Sequence, residues 1–162
     1  MQPEKSPEDL QNFIYYNFTD LDILKRALTR RSHLEEIQCS LEEREDNMAP
    51  LATLGDAVLD LIIIHILYEK GLRDIGDLTE SKINDIKKGK TRAVAEKHSY
   101  EKYVYWGTGE YQDKIWKSGD DTFDTCIEAL VGAVYLDAFK KEKDPILTVS
   151  YVLLKLGFPL VE

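Results

Sequence analysis

The chain has 162 residues, 43% hydrophobic and 31% charged, which suits one folded domain and excludes an intrinsically disordered chain. Its 21 lysines and arginines against 30 aspartates and glutamates leave a net charge of −9, which excludes a simple basic protein that coats nucleic acid. Cys39 and Cys126 stand far apart with no CxxC spacing, so we expect two reduced thiols and neither a disulfide scaffold nor a zinc knuckle.

The start, Met1 to Lys5, has neither a basic n-region nor an apolar h-region, and no apolar run approaches the roughly 20 residues that span a bilayer. A cytoplasmic protein with no membrane partner is expected. Residues from Pro7 to Phe18 set Leu10, Phe13 and Ile14 at helical spacing. A second helix is predicted from Thr19 or Asp20, with Leu21, Leu24 and Leu28 on one stripe. The acidic stretch between His33 and Asn47 reads as a solvated face or loop. Pro50 fits the first turn of a long helix, because proline lacks the amide that would have no partner there. That helix carries Leu51, Leu54, Val58, Leu61, Ile62 and Ile66 toward Gly71. It offers more apolar surface than a small domain covers, so a homodimer is expected.

From Asp77 a helix carries Leu78, Ile83 and Ile86 and breaks or bends at Gly89 before Ala93, Val94 and Ala95. Lys82, Lys87, Lys88, Lys90 and Arg92 form a basic strip on it, with Arg73 upstream. Such a strip is either an ordinary exposed face or a set of phosphate contacts to double-stranded RNA. Tyr103, Tyr105, Trp106 and Tyr111 are expected in the core, although aromatics of this kind can also stack on bases. His65, among isoleucines, reads as a core or interface residue rather than a base. The last helices span Asp121 to Phe139 and Pro145 to Leu156. No segment shows strand alternation with hairpin turns, so the fold class is all-α.

Two places carry acids among apolar neighbours. One is Asp56, within Leu54-Gly-Asp-Ala-Val-Leu59; a carboxylate there must be hydrogen-bonded, paired, exposed or bound to metal. The other is Asp121, Asp124 and Glu128, which on a helix project from one face. Spacing leaves two readings open for that row: a solvated helix start favoured by the dipole, or oxygen ligands for a hard divalent cation.

Four segments together carry a resemblance. Leu54 to Leu59 resembles the signature helix of the ribonuclease III family, and Glu128-Ala-Leu-Val-Gly-Ala-Val-Tyr-Leu-Asp137 resembles its second acidic helix. Ala27-Leu-Thr-Arg-Arg-Ser32 is similar to the family's LTHRS segment, and Trp106-Gly-Thr-Gly-Glu110 to its LGxGE turn. The order is the family's, from about residue 20 to about residue 140.

The resemblance implies a ribonuclease III-like domain over residues 1–162, a two-fold homodimer, and Mg²⁺-dependent (Mn²⁺ as an alternative) cleavage of double-stranded or structured RNA. No separate double-stranded-RNA-binding domain is expected after it. Carried over by position, Asp56 and Glu128 are the catalytic carboxylates, and Asp56, Asp124 and Glu128 the metal ligands. The family's signature helix also has a glutamate where this chain has Ala52 and an acid where it has Ala49. Thr125 stands where the second helix has an aspartate, with Asp124 one residue earlier. Two other functions fit these departures: a catalytically silent module that binds RNA or a ribonucleoprotein, and a helical dimerisation adaptor that never touches RNA.

Overall fold

The computed structural model describes residues 1–82, 90–118 and 121–158, with side chains from 80 to 90 left out. These residues form ten α-helices, and no strand occurs among them. An isolated parallel bridge joins Thr29 to Tyr105.

Helix α1 (Pro7–Ile14) starts in a capping box, in which Ser6 Oγ accepts from the Asp9 amide and the Asp9 carboxylate accepts from the Ser6 amide. It stops at Ile14 instead of running on to Phe18, because Tyr15 takes a left-handed conformation at φ 56° and turns Tyr16 and Phe18 into the core. Helix α2 (Leu21–Ala27) is capped by Asp20 and buries Ile23, Leu24 and Ala27; Leu21, expected on its buried stripe, faces outward. The acidic stretch holds two short helices, α3 (Arg31–Glu36) and α4 (Leu41–Arg44), with most of its carboxylates exposed.

Helix α5 (Met48–Glu69) is the long central element. The Asn47 side chain accepts from the Ala49 amide and donates to the Arg44 carbonyl, and Pro50 lies in the first turn as expected. By length and composition α5 could cross a membrane. Here it is the core helix, with nine buried residues packed chiefly against α9 (Thr122–Lys140). Val58 and Ile62, expected to contribute to a dimer surface, are spent on that core.

Two glycines set the α5–α9 crossing. A β-carbon on Gly55 would overlap the Glu128 carbonyl oxygen, and one on Gly132 would overlap the Leu51 carbonyl oxygen. The helices therefore touch backbone to backbone, a distance only glycine permits.

Helices α6 (Ile75–Lys82) and α7 (Lys90–Lys97) follow, and Ile83, Ile86 and the bend expected at Gly89 lie outside the described residues. Helix α8 (Thr108–Asp113) sits in the aromatic segment, where Tyr103, Tyr105 and Trp106 are buried and Tyr111 is half-buried, as expected of a core. Helix α10 (Pro145–Leu156) matches its predicted bounds; Asp144 caps its start and Gly157, at φ 88°, ends it.

Candidate functional site

Asp56 follows Gly55, and Glu128 carries the carbonyl that Gly55 abuts, so both acids belong to the tightest point of the α5–α9 crossing. Both are half-buried. Asp124 lies one turn before Glu128 on α9, and its carboxylate is engaged: the hydroxyl of Thr91, on α7, donates to Asp124 Oδ1. Among the described residues no three histidine, cysteine, aspartate or glutamate side chains gather where one metal ion could be held.

The other positions that the resemblance singled out offer no ligand oxygen in reach of metal. Ala52 is buried and Ala49 is exposed, and neither side chain has an oxygen. The Thr125 hydroxyl donates to the Asp121 carbonyl at 3.1 Å, inside its own helix turn. Two hard carboxylates, one from each crossing helix, fit a single Mg²⁺ or Mn²⁺, which commonly takes one or two carboxylates and completes its shell with water and phosphate.

Of the basic strip, Lys82, Lys87, Lys88 and Lys90 fall outside the described side chains. Arg92 is half-buried and partly committed: Nε donates to Glu96 at 2.8 Å and a terminal nitrogen donates to the Lys117 carbonyl at 3.2 Å. His65 is exposed on the outer side of α5, so it is not a core residue.

The two remaining motif segments meet each other. Arg30 grips Glu110 with two hydrogen bonds of 3.2 and 2.7 Å, and Ser32 Oγ donates to the same carboxylate at 2.6 Å. The Gly107 amide donates to Ser32 Oγ at 3.2 Å, and the Tyr105 amide to the Leu28 carbonyl at 2.8 Å. Burial pushes the Glu110 pKa up, but the bonds from Arg30 and Ser32 outweigh it and hold it below the ordinary glutamate range. One residue earlier, the Thr29 carbonyl accepts from the Met48 amide at 2.8 Å and so fixes the start of α5.

Sequence reasoning quoted these motifs without assigning them work. It also missed Thr91, and it missed Asp137, a buried carboxylate that binds the loop before α2. The available signal was an arginine and a glutamate in two separate family-like segments. For Thr91 there was none.

A family model described as Ribonuclease-III-like matches residues 20–151. The chain belongs to the ribonuclease III-like family. Ribonuclease 3 of Francisella tularensis subsp. holarctica is 33% identical over 167 residues, which cover 99% of this chain and 61% of that protein. Ribonuclease 3 of Bordetella pertussis is 32% identical over 130 residues, covering 80% and 46% respectively. The chain thus spans about half the length of the curated relatives it matches.

Two solved structures of the nuclease domain of ribonuclease III from Campylobacter jejuni share the fold. Each has a TM-score of 0.74 at 24% identity, one covering 92% of this chain and 94% of that domain. One of them was described for flexibility in a region involved in that protein's dimer formation. The all-α, ribonuclease III-like architecture expected from the sequence is the architecture observed.

Proposed function

We propose that this chain is an endoribonuclease domain that hydrolyses phosphodiester bonds of double-stranded or structured RNA, with Asp56 and Glu128 as its catalytic carboxylates and ligands of one Mg²⁺ or Mn²⁺. The observation that carries this reading is the glycine crossing of α5 and α9, because it belongs to the two residues that keep the family-like acids. A divalent ion bound there supplies positive charge against the phosphate oxygens. Asp56 and Glu128 would hold it, one from each of the two crossing helices. The basic strip from Lys82 to Arg92 holds phosphates of the duplex, with affinity that falls as salt rises. Free Cys39 and Cys126 suit a cytoplasmic setting.

A second copy of the chain packs on the outer face of α5 in this reading. Ala57, Leu61, Ile64 and Tyr68 lie there at i, i+4, i+7 and i+11, and all are exposed.

One set of observations favours a silent RNA-binding module instead: Ala49 and Ala52 carry no oxygen, and the Thr125 hydroxyl is spent on Asp121. Incubation of the purified protein with long duplex RNA, with and without Mg²⁺ or Mn²⁺, separates the readings. Ion-dependent fragments that vanish in Glu128→Gln support the enzyme. Salt-sensitive binding without fragments supports the silent module, and no binding at all leaves the adaptor.

A further inference from the structure

The α-amino group of Met1 is docked rather than solvated. It donates to the Trp106 carbonyl at 2.8 Å and lies 2.9 Å from His33 Nδ1. An ammonium offers only protons, so Nδ1 must be the bare nitrogen of the ring and Nε2 the protonated one. His33 belongs to α3 and is only 6% exposed, and its ring packs against that of Tyr105 at a centroid distance of 5.5 Å. From this cradle the chain runs to the start of α1 as a strap on the aromatic segment. The Glu4 carboxylate accepts from the Tyr111 hydroxyl at 3.0 Å and pairs with Lys102 at 3.5 Å, and the Lys5 amide donates to the Lys102 carbonyl at 2.9 Å. The cradle works only while His33 is neutral, because a proton on Nδ1 removes the lone pair that accepts and sets a second cation against the ammonium. Burial, the Met1 ammonium and Lys25 of α2 disfavour that proton, whereas the Trp106 carbonyl and Glu36, one turn along α3, favour it; the balance holds the His33 pKa below the ordinary histidine value of 6.5.

We infer that His33 Nδ1 and the Trp106 carbonyl form a receptor for a primary ammonium, filled by the α-amino group of Met1, and that this receptor is a proton-sensitive latch for the strap of residues 1–6. A histidine whose folded value is lowered contributes stability above its unfolded value and loses it as pH falls. The latch is therefore closed above about pH 6.5, and closure weakens about tenfold for each pH unit below that until His33 is protonated in the docked state as well. It joins α3 to the segment of Trp106, as the Arg30–Glu110 pair joins neighbouring residues of the same two segments. Glu110 is held ionised to lower pH, so the strap opens on a body that stays closed. Converting the amine to an amide has the same effect as acid, since one N–H is left for two acceptors and the charge is gone.

Competitive acylation tests this on the full chain. A limiting pulse of acetic anhydride is given to the protein mixed with an isotope-labelled peptide of residues 1–6, and the ratio of Met1 acetylation in the two, read by mass spectrometry, cancels the reagent's own pH dependence. At pH 7.5 the protein's amine should react about tenfold more slowly than the peptide's, the worth of one charged hydrogen bond, and the difference should vanish by pH 5. His33→Asn keeps an acceptor oxygen that does not titrate, so its protection should be the same at both pH values. His33→Phe fills the place of the ring with no acceptor and should be unprotected throughout. Melting curves show whether each variant folds; if neither does, the pH profile of the parent decides alone. An unprotected amine in the parent at pH 7.5 overturns the inference. So does protection that stays flat from pH 7.5 to pH 5, or a folded His33→Phe as well protected as the parent.

Discussion

Asp137 is fully buried, and both its oxygens are used. Oδ2 accepts from the Tyr16 hydroxyl at 2.7 Å and pairs with Lys141 at 2.8 Å, while Oδ1 accepts from the amides of Thr19 and Asp20 at 3.0 and 3.2 Å. Burial pushes its pKa up, but the bonds from Lys141 and Tyr16 outweigh burial and leave it below the ordinary aspartate value. Replacing it with asparagine removes the charge that pairs with Lys141, which keeps the Asn17 carbonyl as a partner, and should cost about 1–3 kcal/mol, read as a lower urea midpoint at unchanged slope. Glu110 is depressed in the same direction by Arg30 and Ser32. A depressed carboxylate stabilises the fold fully above its unfolded value and loses that contribution as pH falls through the folded one. Melting temperature should therefore drop as pH falls below 4.5 and again below 3.8, with the first step blunted in Glu110→Gln. A parent and Glu110→Gln with parallel acid profiles would contradict this.

At the scale of elements, the α5–α9 crossing depends on Gly55 and Gly132. Gly55→Ala gains about 1 kcal/mol of helix propensity but drives a methyl group into the Glu128 carbonyl, and displacing packed helices costs about 1–3 kcal/mol or more. A net loss of stability is expected in chemical denaturation, together with weaker Mn²⁺ binding if the carboxylate pair is spread. Restoring acids upstream of Asp56 should have unequal effects. Ala49 is exposed, so Ala49→Glu should leave stability within about 0.5 kcal/mol. Ala52 is 6% exposed, so Ala52→Glu buries a charge and should destabilise the protein unless Mn²⁺ is added. A melting scan of both variants with and without Mn²⁺ checks the contrast.

These elements differ in how much the sequence showed of them. Helices α9 and α10 were legible to within a residue, because long apolar patterns bounded by an N-terminal aspartate and a C-terminal glycine or lysine leave little choice. The early stop of α1 was not legible, since Tyr15 carries no glycine-like signal for its left-handed turn. Neither were the contacts Arg30–Glu110 and Thr91–Asp124, which join residues 80 and 33 positions apart and depend on how helices dock. Asp56 and Glu128 stand out in the sequence as acids among apolar neighbours, but spacing leaves a metal role and a paired or solvated role equally open, and only the family resemblance chooses between them.

At the scale of the whole molecule, α5 carries an exposed apolar stripe. Leu61 is 55% and Tyr68 50% exposed, and Ile64 lies between them. Surface of this kind on one helix is what a two-fold partner covers. The surface differs from the one the sequence suggested, since Leu51, Val58 and Ile62 point into the core, Leu54 and Ile66 are half-buried, and Leu61 alone of those six residues is fully outside. Sedimentation at micromolar concentration should give a dimer, and Leu61→Glu with Tyr68→Glu should give a folded monomer. A parent that sediments as a monomer would remove the dimer from the proposed function.

The glycine crossing also separates durability from chemistry. Backbone contact at Gly55 and Gly132, together with the buried side chains around it, sets how α5 and α9 meet, and neither position accepts a β-carbon without moving a helix. A library randomised at exposed position 49 should yield mostly folded protein, while one randomised at Gly55 and Gly132 should yield almost none.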